Sequence, residues 1–274
     1  MRMAIKSIRR FIHFGIQQAL SCIFPVAIFL TLALSKIVHI PHLHRYDFIL
    51  LVCILVQFLM VYLKLESLDE LKVICMFHVI GLCLELYKVH AGSWAYPEAA
   101  VAKLGGVPLY SGFMYASVAS YMCQAWKRMD LQFEQWPRNF ITYPLAAAVY
   151  LNFFTHHFMP DIRWIITLLL FPVFWRSKVA FRGLDKVYRM PVILSFLLIG
   201  FFIWVAENVS TFFEAWKYPD QVQAWKLVHL GKISSWFLLV IISMLIVVNL
   251  KHLKYKEEYH EININEDSRR RQKI

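Results

Sequence analysis

Residues 71–98 read LKVICMFHVIGLCLELYKVHAGSWAYPE, and residues 191–220 read PVILSFLLIGFFIWVAENVSTFFEAWKYPD. Each begins as an apolar run close to the length, about 20 residues, that a helix needs to cross a bilayer. Each run carries one glutamate near its far end, Glu85 or Glu207. Nine positions later comes a tryptophan, followed by Tyr-Pro and an acid: Trp94, Tyr96, Pro97 and Glu98 in the first copy, Trp216, Tyr218, Pro219 and Asp220 in the second. The shared pattern is E-x8-W-x-Y-P-[ED], and the two copies lie 122 positions apart.

Outward from these copies, apolar stretches fall at 16–38, 47–64, 71–88, 105–126, 140–158, 163–178, 191–212 and 232–250. The third and sixth are the weakest by length, and Pro172 lies inside the sixth. The offset between the motif copies also carries the first stretch onto the fifth and each of the next three onto its counterpart. Because an even number of stretches separates the copies, both halves keep the same orientation, which makes a parallel repeat about an axis along the membrane normal. The expected fold is therefore all-α: a polytopic transmembrane helical bundle of about eight spans, built as two parallel four-helix repeats. A basic N-terminus (1–15) precedes repeat one (16–130) and repeat two (131–250), and a charged tail (251–274) follows. Arg2 to Arg10 resembles the charged region of a signal peptide. The run from Ile16 to Val38 is too long for such a peptide and lacks a small-x-small cleavage site, so an uncleaved first span is expected.

Composition agrees with a lipid solvent. Of 274 residues 59% are hydrophobic and 17% charged, and the mean hydropathy is +0.52, values that exclude an ordinary soluble domain. The net charge of +11 does not point to nucleic acid, because the cations cluster between apolar runs without a basic face interleaved with aromatics. They read instead as topology signals: 21 of the 29 Lys and Arg fall on one side of the eight stretches and 8 on the other, which puts both termini in the cytoplasm. The bilayer is the expected partner, and nine Trp and thirteen Tyr suit its two interfaces. Cys22, Cys53, Cys75, Cys83 and Cys123 all fall in apolar stretches and read as free buried thiols.

Chemistry is expected near Glu85 and Glu207. A charge at the bilayer centre costs about 2.5–3.5 kcal/mol on insertion scales, less near an interface, so these acids should face protein or a water-filled cavity. His78, Gly81, Glu85 and Lys88 share one helix face, as do Gly200, Trp204, Glu207, Thr211 and Glu214, with Asn208 beside them. Asn152 and His156 share the outer end of the fifth stretch. The candidate catalytic residues are Glu85 and Glu207. The candidate binding residues are His78, Lys88, Trp94, Tyr96, Glu98, Asn152, His156, Asn208, Glu214, Trp216, Tyr218 and Asp220. The structural alternative pairs Glu85 with Lys88, and Glu207 with Asn208 or a neighbouring helix. His156 with Glu85 and Glu207 would suit a divalent metal or a proton relay, although no HExxH or similar spacing supports a metal and no cofactor is expected. No Walker loop, GxGxxG or GxSxG elbow occurs.

The strings ELYKVHAGSWAYPE (85–98), GGVPLYSGFMYASVASY (105–121) and WVAENVSTFFEAWKYPDQ (204–221) resemble the YoaT family of uncharacterised bacterial multi-pass membrane proteins. The resemblance covers nearly the whole chain and implies a bacterial cell-membrane location without an established activity. A weaker likeness is to the carotenoid hydratase membrane proteins, to which Glu85, Gly92, Tyr96, Val107 and Pro108 correspond. The WAYP and KYPD segments and the second motif copy depart from that pattern. Three readings stay open: a transporter or channel-like protein for a cation, proton or small polar solute; an intramembrane enzyme acting on an isoprenoid or other lipid; and a non-catalytic membrane partner.

Overall fold

A computed structural model describes residues 2–155 and 158–248. The expected charged tail lies outside these residues. The described residues are mostly helical, in nine α-helical segments: α1 (Arg2–Ser21), α2 (Ile23–Leu34), α3 (Arg45–Tyr62), α4 (Leu68–His90), α5 (Tyr110–Met129), α6 (Asn139–Thr155), α7 (Arg163–Phe174), α8 (Val192–Phe212) and α9 (Lys232–Val248). Between them lie a hairpin of β1 (Lys103–Leu104) with β2 (Val107–Pro108) and an antiparallel sheet of β3 (Gln132–Glu134), β4 (Lys178–Arg182) and β5 (Val187–Pro191), in that order.

By length and composition α3, α4 and α8 are able to cross a membrane, and α1 with α2 makes a fourth if the bent pair is one span. Their outward faces carry large apolar side chains, among them Leu51, Phe58, Leu68 and Phe202. Such a surface belongs in lipid rather than water.

Three helix boundaries depart from the sequence reading. The expected first span, 16–38, is not one helix, because the chain turns by 66° between α1 and α2. The reason lies in α1, where Ile5, Ile8, Ile12 and Ile16 recur at helical spacing while Lys6 and Arg10 lie off that stripe and Arg9 at its edge. A helix so divided cannot continue straight into an apolar layer. Arg10 is held to Asp185 by hydrogen bonds from Nε to Oδ1 at 2.9 Å and to Oδ2 at 3.2 Å and from Nη2 to Oδ2 at 2.6 Å, and Phe14 lies 5.3 Å from Phe181 of β4. The third span, weakest by length in the sequence, is the longest helix at 23 residues. A capping box extends it: Glu70 N–H donates to Ser67 Oγ at 3.2 Å and Ser67 N–H donates to Glu70 Oε2 at 2.8 Å. The sixth ends early, at Phe174, because the residues that follow pair as β4, with Val179 opposite both Phe133 and Met190. This small sheet is the one element type that the helical periodicity does not announce. The five cysteines are free, yet Cys75 and Cys83 are exposed on the outer face of α4 rather than buried.

Two glycines draw helices together. A Cβ on Gly81 would stand 2.4 Å from the Tyr115 ring, and one on Gly112 would meet His78 Cε1 at 2.7 Å and the His78 carbonyl at 2.8 Å. Their absence lets α4 and α5 pack closely. On α8, Gly200 allows a similar approach to the α9 backbone at Phe237.

Candidate functional site

At the end where α4 and α8 finish, the two motif copies meet. Ala95 N–H donates to the Lys217 carbonyl at 3.0 Å, and Lys217 N–H donates to the Ala95 carbonyl at 3.0 Å, a single antiparallel bridge. These residues occupy the same position in the two copies. Trp94 and Tyr218 extend the contact, their rings edge to face at 5.8 Å.

Glu85 is buried and its carboxylate accepts three hydrogen bonds. Trp94 Nε1 and Tyr96 OH donate to Oε2, each at 2.7 Å, and Tyr115 OH donates to Oε1 at 2.8 Å. Glu207 is buried as well. Tyr218 OH donates to its Oε1 and Trp236 Nε1 to its Oε2 at 2.6 Å. In both copies the motif glutamate thus receives the motif tyrosine and an aromatic donor from the next helix, Tyr115 on α5 or Trp236 on α9. Trp94 adds a third bond in the first copy, a place that Trp216 does not take in the second. Burial, reinforced by the neighbouring carboxylates, pushes the Tyr96 and Tyr218 phenols well above 10, so both remain donors.

Neither Lys88 nor Asn208 bonds the glutamates, so of the structural pairings the one between Glu207 and a neighbouring helix forms, through Trp236 on α9. Lys88 Nζ donates to the Phe153 carbonyl at 3.0 Å and lies 4.1 Å over that ring. Asn208 Oδ1 accepts from Val228 N–H at 2.9 Å, pinning the loop that leads to α9. Asn152 Oδ1 accepts from Ile162 N–H at 2.9 Å, and its amide donates to Asp161 at 3.0 Å. Glu98 accepts from Arg45 Nη1 at 2.6 Å. Glu214 pairs with Lys36 and with Lys217 at 2.9 Å, and the Lys36 bond above all holds its carboxyl down at about 2. Asp220 is exposed. His78 sits mid-helix against Phe113, at 4.5 Å between rings, away from the motif loops. His156 lies outside the described residues, and among those described no group of three His, Cys, Asp or Glu is placed to hold a metal.

Beside the joined loops lies a cavity of about 150 Å³. Lys88, Asn152, Glu207 and Tyr218 line it together with residues that the sequence reading passed over: Tyr115, Arg163, Lys232 and Trp236. Lys232 stands 5.2 Å over the Trp94 ring and 4.6 Å over the Tyr218 ring. The cations were legible only as topology signals, because spacing along the chain gives no hint that Arg163 and Lys232 converge on Lys88. For Tyr115 and Trp236 a signal exists. The motif offset carries Tyr115 to Phe237, one position from Trp236. Arg45 was missed likewise. Besides Glu98 it donates to the Phe213 carbonyl at 2.5 Å, the Glu214 carbonyl at 3.2 Å and Ser35 Oγ at 2.9 Å, tying both motif loops to α3.

Residues 10–244 match the family described as "Protein of unknown function (DUF817)". The uncharacterized protein YoaT of Bacillus subtilis (strain 168) is 59% identical over 250 residues, covering 91% of this chain and 95% of that protein. No solved structure matches.

Proposed function

The chain belongs to the DUF817 family of proteins of unknown function, and from the geometry of its own site we propose a transporter-like protein that takes a small polar solute between two parallel halves. In this reading the chain crosses the cell membrane eight times, with α1 and α2 together forming the first crossing and both termini in the cytoplasm. Lys and Arg asymmetry supports that orientation. The reciprocal Ala95–Lys217 bridge supports the repeat, since equivalent residues pair with each other when a pseudo-two-fold axis passes between them.

The observation that carries the reading is the cavity beside the joined motif loops, reached from α4 to α9 and lined by charged, amide and aromatic side chains. Polar groups converging at the end of an apolar bundle are most simply a solute site. Glu85 and Glu207 serve that site as anchors. Their oxygens are engaged by aromatic donors, which fixes the two loops that roof the cavity.

Uptake of labelled small solutes by cells with and without the gene tests this function. A solute that accumulates only when the gene is present supports transport. A new lipid species with unchanged uptake would replace it with intramembrane lipid chemistry. The topology has its own readout: alkaline phosphatase fused after residue 96 should be active, and after residue 183 inactive.

A further inference from the structure

The polarity of the cavity wall points to a narrower ligand class. Three cations line it, Lys88 at the end of α4, Arg163 at the start of α7 and Lys232 at the start of α9, against one lining carboxylate, Glu207. Glu207 already accepts a bond on each oxygen. Asp161 offsets Arg163, bonding Nη2 at 2.5 Å, while Nη1 donates to Ser235 Oγ at 2.9 Å and so fixes the guanidinium against the first turn of α9. Arg163 and Lys232 thus stand in the first turns of α7 and α9, where the positive end of the helix dipole favours negative charge.

Lys232 is the second, independent observation. Its Nζ lies over the faces of Trp94 and Tyr218 and has no hydrogen-bond acceptor among the described residues. An ammonium carries three protons, and an aromatic face satisfies a cation only in part. Lys232 is partly exposed, so its protons are available to an anionic oxygen that enters the cavity.

Resting on the reading of this cavity as a solute site, we infer that its ligand is a small oxyanion of the phosphate or carboxylate type, held by Lys232 with Lys88 and Arg163. Drug-sized ligands occupy pockets of about 300–1,000 Å³; 150 Å³ suits an inorganic ion, a short carboxylate or the phosphate of a single lipid headgroup. A free ion and a headgroup present the same oxygens, and the membrane makes both available.

Protein reconstituted in nanodiscs of neutral lipid, titrated with inorganic phosphate or acetate and followed by unfolding midpoint and calorimetry, tests the inference. A second set of discs containing phosphatidylglycerol distinguishes the sources. Wild type should be stabilised by phosphate or acetate in neutral discs if the ligand is a free ion, or only in phosphatidylglycerol discs if it is a headgroup. Lys232→Gln should weaken binding at least tenfold and Lys232→Arg should restore most of it. Lys88→Gln provides the same comparison should Lys232→Gln fail to fold. The inference is overturned if no anion stabilises wild type, or if wild type and the glutamine variant respond alike. Absence of anion binding leaves transport of an uncharged or cationic solute standing. Anion binding without uptake of any solute removes transport and keeps the anion site.

Discussion

Ala95 and Lys217 hydrogen-bond to each other in both directions, amide to carbonyl at 3.0 Å each way, although 122 residues separate them. Since both bonds are made by main chain, the junction should tolerate side-chain changes and fail on loss of an amide hydrogen. Ala95→Ser should leave the unfolding midpoint in detergent within error of wild type. Ala95→Pro removes one of the two donors and should lower stability by about 1 kcal/mol or more.

Glu85 offers only acceptors to Trp94, Tyr96 and Tyr115. In Glu85→Gln one oxygen becomes an amide that donates; it faces either the Trp94 and Tyr96 donors or Tyr115, whose hydroxyl must turn to accept and leaves its own proton without the carboxylate. The expected loss is about 1–3 kcal/mol, with membrane insertion intact. Glu207→Gln should behave similarly through Tyr218 and Trp236. Equal midpoints for wild type and both variants in a thermal melt would mean that these carboxylates do not anchor the loops.

Glycine positions separate packing from flexibility. Gly81→Ala places a methyl 2.4 Å from Tyr115, which must move off Glu85, and the expected cost of this overpacking is about 1–3 kcal/mol. Gly15→Ala in α1 meets nothing within 4 Å and should be neutral or stabilising by up to about 1 kcal/mol. Comparing the two melts checks both.

Glu214 supplies a pH dependence. Its folded carboxyl titrates at about 2, below the ordinary 4.5, chiefly through the hydrogen bond from Lys36 and then that from Lys217. A depressed folded value means that the contribution is complete above pH 4.5 and is lost as pH falls from there towards 2. Wild type should therefore melt above Glu214→Gln at pH 7, and the gap should narrow as the pH is lowered through 4 to 3. The side chain is substantially exposed, so salt should narrow the gap too.

Arg45 joins Glu98 in one motif loop to the Phe213 and Glu214 carbonyls in the other. The forked guanidinium reaches acceptors in several directions at once, which an ammonium cannot do. Arg45→Lys should accordingly expose residues 213–230 to protease added outside intact cells, nearly as much as Arg45→Met does. Protection by lysine equal to that by arginine would show that charge alone holds the loops.

What the sequence determined by itself was set by local and compositional forces. Runs such as 191–212 have to be helical because an apolar medium offers the backbone no other partner, and α8 follows that run to within one residue. The repeated E-x8-W-x-Y-P pattern located the pair of glutamates and the tyrosines that bind them. Tertiary structure decided what these residues meet. Lys88 faces Phe153 rather than Glu85, Trp236 takes the place at Glu207 that the repeat assigns to Trp216, and Lys232 comes to rest over Trp94 from far along the chain. The sheet around β4 likewise depends on strands distant in sequence, and Arg10 of α1 meets its partner Asp185 only in the fold. Helical periodicity fixes which face a side chain occupies, whereas the packing of one helix on another, permitted at Gly81 and Gly112 by the lack of a Cβ, fixes what that face touches.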